Sequence, residues 1–398
     1  MAKAIYASLS PPPLKPSKLV LIRFVATSNK DEGCGMKDQE GQQRSDGSFG
    51  SSSGPLGSRS EFDFITSLKK SASTSSLITN HSSLISGIGD DAAVVRSQPG
   101  KETLITTDLL VENIDFRRAT TPASLLGHKA LAVSLSDIAA MGGRPRWSLM
   151  SVGVPEDVWK SEFVDKLYEG LLALARRYDV RLIGGDTSRT TLQIVIDSIV
   201  IGECATDFAV KRAGAKPGDQ IFVTGSLGAA AAGFRLIERG AHLADQDRVT
   251  SDTRILDQVL LRHLQPEPRI GWGMVLGQER LASAMIDISD GLSSDLNHLC
   301  SESSVGAFID SALIPIDANV IELCGRRALD PLQLALHGGE DFELLFAVSP
   351  AQVAKLPRRV DGVSITRIGE ITHSADGIKI SEGARVWDLK PGGWEHFR

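Results

Sequence analysis

The sequence predicts an α/β protein of mixed (α+β) character with two domains, and three observations carry this. The chain has 398 residues, enough for about two domains at roughly 100–200 residues each. From residue 61 onward, β-rich runs alternate with runs of helical spacing. A Gly/Pro-rich link, "KRAGAKPGDQ" (211–220), breaks this alternation and divides it into an N-terminal domain, 61–212, and a C-terminal domain, 213–398. Residues 1–60 stand apart. Their "SPPPLKPSK" and "SDGSFGSSSGPLGSRS" are rich in Pro, Ser and Gly, and a disordered N-terminal extension is expected.

Each element has its own signal. "EFDFITSLKK" (61–70) has helical spacing of Phe62, Ile65 and Leu68. "TLITTDLLV" (103–111) is a β-rich run that reaches Asp108 at the end of "LITTD". Pro122 and the pair Gly142-Gly143 bracket the helix "ASLLGHKALAVSLSDIAAM". Trp147 to Val154 reads as a strand, and Glu156 to Tyr178 as one helix with Trp159, Phe163, Leu167, Leu171 and Leu174 on a stripe. "RLIGGD" and "LQIVIDSIVIGE" read as strands. After the link, "IFVTG" leads into the helix "LGAAAAGFRLIERG", and "SAMIDIS" into "LSSDLNHLC". "HGGEDFELLFAVS" and short strands close the chain.

Bulk chemistry excludes several classes. Apolar residues make up 42% and charged residues 23% of the chain, as in an ordinary globular protein. The net charge of −6 leaves no basic footprint, which argues against nucleic acid as a partner. No apolar run reaches the ~18–20 residues a membrane span needs. Cys34, Cys204, Cys300 and Cys324 are scattered, with no Cys-x-x-Cys pair. Reduced thiols and a cytoplasmic location are expected. The first thirty residues carry Lys and Arg but no Asp or Glu, a composition that also suits an organelle transit peptide.

The chemistry sits in acids placed beside glycine, serine and threonine. "SGIGDDAAVV" (86–95) imitates a dinucleotide fingerprint, yet Asp90 and Asp91 occupy the place of the pyrophosphate. That loop would need bare N–H groups. Asp137 lies in a helix that is apolar almost all round. A buried carboxylate there requires a partner or a cation. Thr106 and Asp108 share a strand face by alternation. Asp186 follows Gly184-Gly185 at a strand end, and Asp287 and Asp290 flank Ser289 where another strand passes into a helix. Hard oxygen donors at this density suit Mg²⁺ shared with phosphate, not zinc. Walker and kinase-loop motifs are missing. "VTGSLGAAAAGF" could hold an anion at a helix start or could be small-residue packing, and Arg212 is the best-placed cation for a phosphate tail.

Taken in order, "GIGDDAAVV", "ITTDLLVENIDF", "KALAVSLSDIAAMGGRPRW", "LIGGDTSR", "KRAGAKPGD", "VTGSLGAAAAGF", "AMIDISDGLSSDL" and "GGEDFELLF" resemble the thiamine-phosphate kinase family, within the fold superfamily of aminoimidazole ribonucleotide synthetase. The resemblance spans residue 61 to the C-terminus. It implies an N-terminal α/β dimerisation domain, a C-terminal α/β domain that completes the active site, and a homodimer. It also implies the last step of thiamine diphosphate biosynthesis, in which ATP phosphorylates thiamine phosphate directly with several Mg²⁺ ions. Asp90, Thr106, Thr107, Asp108, Asp137, Asp186 and Asp287 then resemble Mg²⁺ ligands, and Asp290 the ligand of a further ion. Tyr168, Gly185, Asp186, Arg212 and Ser289 resemble ATP contacts, and Asp115, Glu340 and Trp394 contacts to thiamine phosphate. A Trp face suits a cationic thiazolium. The family often has His where this chain has Asp115, and an ionised Asp cannot donate a hydrogen bond to phosphate. No nucleophile is assigned, because phosphoryl transfer needs positioning and charge neutralisation more than covalent catalysis. The alternatives are another superfamily enzyme, such as aminoimidazole ribonucleotide synthetase itself, or a non-catalytic nucleotide- or metal-binding homologue.

Overall fold

The structure is a computed structural model that describes residues 64, 67–68, 70–71, 84–86, 94–95, 98–244 and 251–394. The first sixty residues, and with them the expected extension, lie outside the described residues. Phe64, Ser67, Leu68, Lys70 and Ser71 are helical, as the 61–70 spacing predicts. The short strands β1 (Leu84–Ser86) and β2 (Val94–Val95) pair antiparallel.

The N-terminal half is a four-stranded sheet in the order β3-β6-β4-β5. Its strands are β3 (Lys101–Val111), β4 (Arg144–Val154), β5 (Arg181–Arg189) and β6 (Val195–Ala205). β3, β6 and β4 pair antiparallel, whereas β4 and β5 are parallel. A parallel pair needs a crossover, and the helix α2 (Phe163–Arg177) supplies it. The single helix expected over 156–178 is broken. One turn, Glu156–Trp159, ends before α2 begins. Ser161 causes the break: its hydroxyl donates to the Val158 carbonyl at 2.8 Å and accepts from the Phe163 N–H at 3.2 Å, offering the backbone a local alternative to the helix.

The helix α1 (Ala123–Ala140) is buried on nearly every side. It packs on β3, β4, β6 and α2 and also on the C-terminal half. That half holds an eight-stranded sheet whose path is β14-β13-β9-β12-β7-β10-β8, with β11 paired to β12. Its strands are β7 (Gln220–Thr224), β8 (Ala284–Asp287), β9 (Val305–Asp310), β10 (Leu344–Val348), β11 (Arg359–Val360), β12 (Val363–His373), β13 (Ile378–Glu382) and β14 (Arg385–Asp388). Its longer helices are α3 (Ala229–Glu238), α4 (Ser251–Leu264), α5 (Ile270–Gln278), α6 (Leu292–Ser303), α7 (Ala318–Arg327) and α8 (Pro331–His337), and one further turn of helix spans Pro350–Val353. Every residue of β10 is buried, because both faces of this sheet are covered. Alternation sends Phe222, Met285, Leu344 and Phe346 into a core shared with α1 and α2. Ile221, Val223, Ile286 and Leu345 enter a second core beneath α6. The shared core seats one half against the other.

Candidate active site

The site is built around α1. From β3, the Thr106 hydroxyl donates to the Asp137 carboxylate. Ser134 of α1 donates back to Asp108 Oδ2 at 2.7 Å and also approaches Ser198 of β6 at 3.1 Å. From the other half, Asp287 ends β8, and Ser136 of α1 donates to its Oδ2 at 2.7 Å. Carboxylates from two sheets thus meet on one helix.

Their titration reflects that crowding. Burial, and then the charge of Asp137, push Asp108 up to about 6. The same two causes push Asp287 to about 7, with Asp108 adding to them. Burial raises Asp137 too, against the Thr106 hydroxyl and the Arg212 charge. Arg212 opposes the rise at Asp287 as well. Three anions share a low-dielectric space with one nearby guanidinium, so the cluster holds excess negative charge.

Asp108 is not at a strand end, contrary to expectation. It pairs with Ser198 in the middle of the β3–β6 ladder, and β3 runs on to Val111 because Leu109, Leu110 and Val111 suit a pleated surface. Thr107 points to the opposite face and donates to Asp197 at 2.6 Å. Asp186 is likewise within a strand, β5, and exposed. It lies at the far edge of the sheet from β3, ~14 Å away at ordinary strand spacing. Its Oδ1 accepts the Thr187 N–H at 2.9 Å. Gly185 is demanded by packing, since a Cβ there would come within 2.0 Å of the Met150 carbonyl oxygen. Tyr168 is 5% exposed, with its ring edge-on to Phe64 at 5.2 Å. Burial, and then Asp186, raise its phenol well above the usual range. Asp115 turns its carboxylate inward: Oδ2 accepts the Val111 N–H at 2.8 Å and closes the turn after β3. Asp90 and Asp91 lie outside the described residues.

The loop Ile288–Gly291 is laced to "GGEDFE". Glu340 N–H donates to the Ser289 carbonyl at 2.7 Å, Phe342 N–H to the Ile288 carbonyl at 2.9 Å, and Ile288 N–H to the Glu343 carbonyl at 2.7 Å. The residue at the N-cap of α6 is Gly291. Asp295 does the holding, accepting the Asp290 and Gly291 N–H groups at 3.1 and 3.0 Å. Burial, then Asp287 and Asp290, push Asp295 up to about 8. The C-terminal segment docks on the same loop: Trp394 N–H donates to the Asp290 carbonyl at 3.2 Å, and Gly393 N–H to Ser294 Oγ at 3.1 Å. The Trp394 side chain is left at the rim, 57% exposed.

The start of α3, the sequence's other candidate anion site, is filled from within. Asp341 accepts the Gly228 and Ala230 N–H groups at 2.7 and 3.2 Å. It takes the place a phosphate would occupy.

Six residues of this region carry signals that sequence reading passed over. Ser134 and Ser136 are small hydroxyls in an apolar helix, with nothing local to name their partners. Lys129, on the same helix and only 2% exposed, did demand an anion. Its partner is Glu340, at 2.7 Å. His263 meets Glu340 from α4, Asp295 holds the acid loop, and Glu343 is buried among Arg262, Arg269 and Thr224.

Comparison with known proteins bears on this geometry. Residues 89–204 match the family model for the N-terminal domain of AIR synthase related protein, and 216–380 match the model for its C-terminal domain. The thiamine-monophosphate kinase of Bacillus subtilis (strain 168) is 36% identical over 85% of this chain and 99% of its own length. The chain belongs to the thiamine-monophosphate kinase family. Among solved members of that kinase family, the Stenotrophomonas maltophilia K279a enzyme superposes with a TM-score of 0.67 at 33% identity, covering 80% of this chain and 95% of its own. AaThiL complexed with AMPPCP and TMP gives a TM-score of 0.66 at 32% identity, covering 85% and 97%.

Proposed function

We propose that the chain transfers the γ-phosphoryl group of ATP directly to thiamine phosphate, giving ADP and thiamine diphosphate. The observation that carries this reading is the meeting of Asp108, Asp137 and Asp287 on α1, with Arg212 bearing on two of them. AaThiL, of the same family, was solved complexed with AMPPCP and TMP. The superfamily alternative shares this fold, but the identity runs to the kinases.

Among the described residues, no three His, Cys, Asp or Glu side chains form a group that could hold a metal ion by themselves. The donor set nevertheless fits Mg²⁺, which takes only one or two protein carboxylates and completes its shell with water and phosphate oxygens. Asp108, Asp137 and Asp287 would hold such ions with the Thr106 hydroxyl, and Asp90 and Asp290 are the further candidates. Bound there, Mg²⁺ would neutralise phosphate charge and orient the two anionic substrates. The protein's own part is positional. Ser134 and Ser136 aim the carboxylates through hydrogen bonds of 2.7 Å, and Arg212 adds positive charge beside them. Ser289, fixed through its carbonyl by Glu340 N–H, stands next to Asp290. Glu340 and Trp394 flank the same loop on the thiamine phosphate side. Asp115 is already engaged by Val111, and Tyr168 is packed in the core, so their parts in binding are indirect. Asp186 and Thr107 stand apart from the cluster within one chain. The acceptor is itself a phosphate monoester, largely ionised at neutral pH, so no strong base is required.

The test is ADP release from Mg-ATP by the purified chain with thiamine phosphate, repeated in EDTA. Turnover lost in EDTA supports the reading. Turnover with formylglycinamidine ribonucleotide in place of thiamine phosphate would replace it with the synthetase alternative. Thermal stabilisation by ATP without ADP release would indicate a non-catalytic homologue.

We also read the chain as a cytoplasmic homodimer divided at about 212/213. Cys204, Cys300 and Cys324 are free and buried, which suits a reducing compartment. On the outer face of β3, Ile105 and Leu109 are 71% and 59% exposed, an apolar strip that pairing of two copies would cover. Ile105→Asp combined with Leu109→Asp is expected to yield a monomer in sedimentation. A variant that still sediments as the dimer would move the interface elsewhere.

A further inference from the structure

Lys129 lies within an apolar helix and is 2% exposed, a placement that costs several kcal/mol unless compensated. Its Nζ lies 2.7 Å from Glu340 Oε1. On the other oxygen, His263 Nδ1 approaches Oε2 at 2.7 Å, without the alignment of a hydrogen bond. His263 is itself buried, with Phe234 tilted against its ring at 5.3 Å. Glu340 is held by Lys129 on one oxygen and approached by His263 on the other, yet remains about one-third exposed, at 35%. It also adopts a left-handed backbone, with φ of 57°, which a non-glycine residue holds only when its surroundings impose it. Burial alone would raise its carboxyl, but Lys129 and then His263 draw it down to about 2. The three residues come from three separate elements: α1, α4 and the loop after α8.

We propose that Lys129 and His263 are positioning residues for Glu340, fixing this substrate-side acceptor to the helix that also carries Asp137. The inference rests on the kinase reading above. Because Lys129 offsets its charge, Glu340 serves less as a bare anion for the thiazolium than as an aimed acceptor for an N–H donor of the thiamine moiety. Lys129 and Asp137 share α1, so the distance between the acceptor for thiamine and the acid cluster is set within one rigid element.

The experiment compares steady-state kinetics of the full chain and of three variants. The wild type must first turn over thiamine phosphate with Mg-ATP; if it does not, the kinase reading has failed and this proposal with it. Lys129→Met is expected to raise KM for thiamine phosphate about ten- to hundredfold, the value of a charge-assisted hydrogen bond, with KM for ATP within about twofold of wild type. Lys129→Met strands a carboxylate and will also melt earlier. Lys129→Met combined with Glu340→Gln removes that charge, so its melting temperature should recover while its KM for thiamine phosphate stays raised. His263→Leu removes the polar neighbour of Oε2 and should raise KM for thiamine phosphate about three- to tenfold with KM for ATP unchanged; an unchanged KM for thiamine phosphate would remove His263 from the positioning role. An active wild type whose Lys129→Met variant keeps its KM for thiamine phosphate, or raises both KM values equally, would overturn the positioning role. So would a double variant whose KM recovers together with its melting temperature.

Discussion

Asn in place of Asp137 lowers kcat by about a thousandfold and leaves the melting temperature unchanged or higher. The side chain keeps its shape, and the amide oxygen still accepts the Thr106 hydroxyl. What is lost is a full negative charge where burial and neighbouring acids already oppose one. In the substrate-free protein that loss removes repulsion. Asp108 and Asp287, both raised by the charge of Asp137, are relieved of it. On the proposed Mg²⁺ assignment the same loss would weaken the hold on cations beside the phosphates, and removing one such electrostatic contribution costs ~10²–10³ in rate. Paired measurements of ADP release and thermal melting separate the two effects. A variant working within tenfold of wild type would remove Asp137 from the machinery.

Glu343→Gln is expected to cost about 3–5 kcal/mol of stability, the usual result of breaking a buried ion pair on one side. Glu343 is fully buried. It receives Arg269 Nε and Nη2 at 2.5 Å each, Arg262 at 2.9 Å and the Thr224 hydroxyl at 2.7 Å. Thr224 Oγ1 in turn accepts the Leu344 N–H at 2.8 Å, so β7 and β10 are tied through one carboxylate. Burial alone would raise Glu343, but the two guanidiniums hold it ionised, below its ordinary value. The amide leaves Arg269, 8% exposed, with half its partner. Against a typical total of ~5–15 kcal/mol the loss is large, and the urea midpoint should fall accordingly. A midpoint within experimental error of wild type would show that the buried ion pair contributes no net stability over the neutral amide.

Much of the fold was legible from period alone. Alternation marked β3 and β6, and an apolar stretch between Pro122 and Gly142-Gly143 marked α1 almost to the residue. Ser161 broke the next helix because a single hydroxyl competed with the helical ladder, an effect invisible to hydrophobic spacing. The site was legible in part. Asp137 declared itself, since an acid in an apolar helix needs a reason. Asp108 and Asp186 looked alike in sequence, each an acid late in a β-run beside small residues. They separate because the strand order is β3-β6-β4-β5, which places them on opposite edges. Sequence order does not dictate which strands become neighbours. Ser136 could not be read as the partner of Asp287, 151 positions away, because that contact exists only once the halves close. For the glycine turn before α3 the sequence leaves an anion site and small-residue packing both open, and only the fold shows that Asp341 already fills the helix start.

The near-total enclosure of α1 has a practical consequence. One flank belongs to each half, so cutting the chain at the inter-domain link would bare an oily cylinder on whichever fragment retained it. Neither fragment should survive alone in water, and the two would have to be produced together to recover a working catalyst.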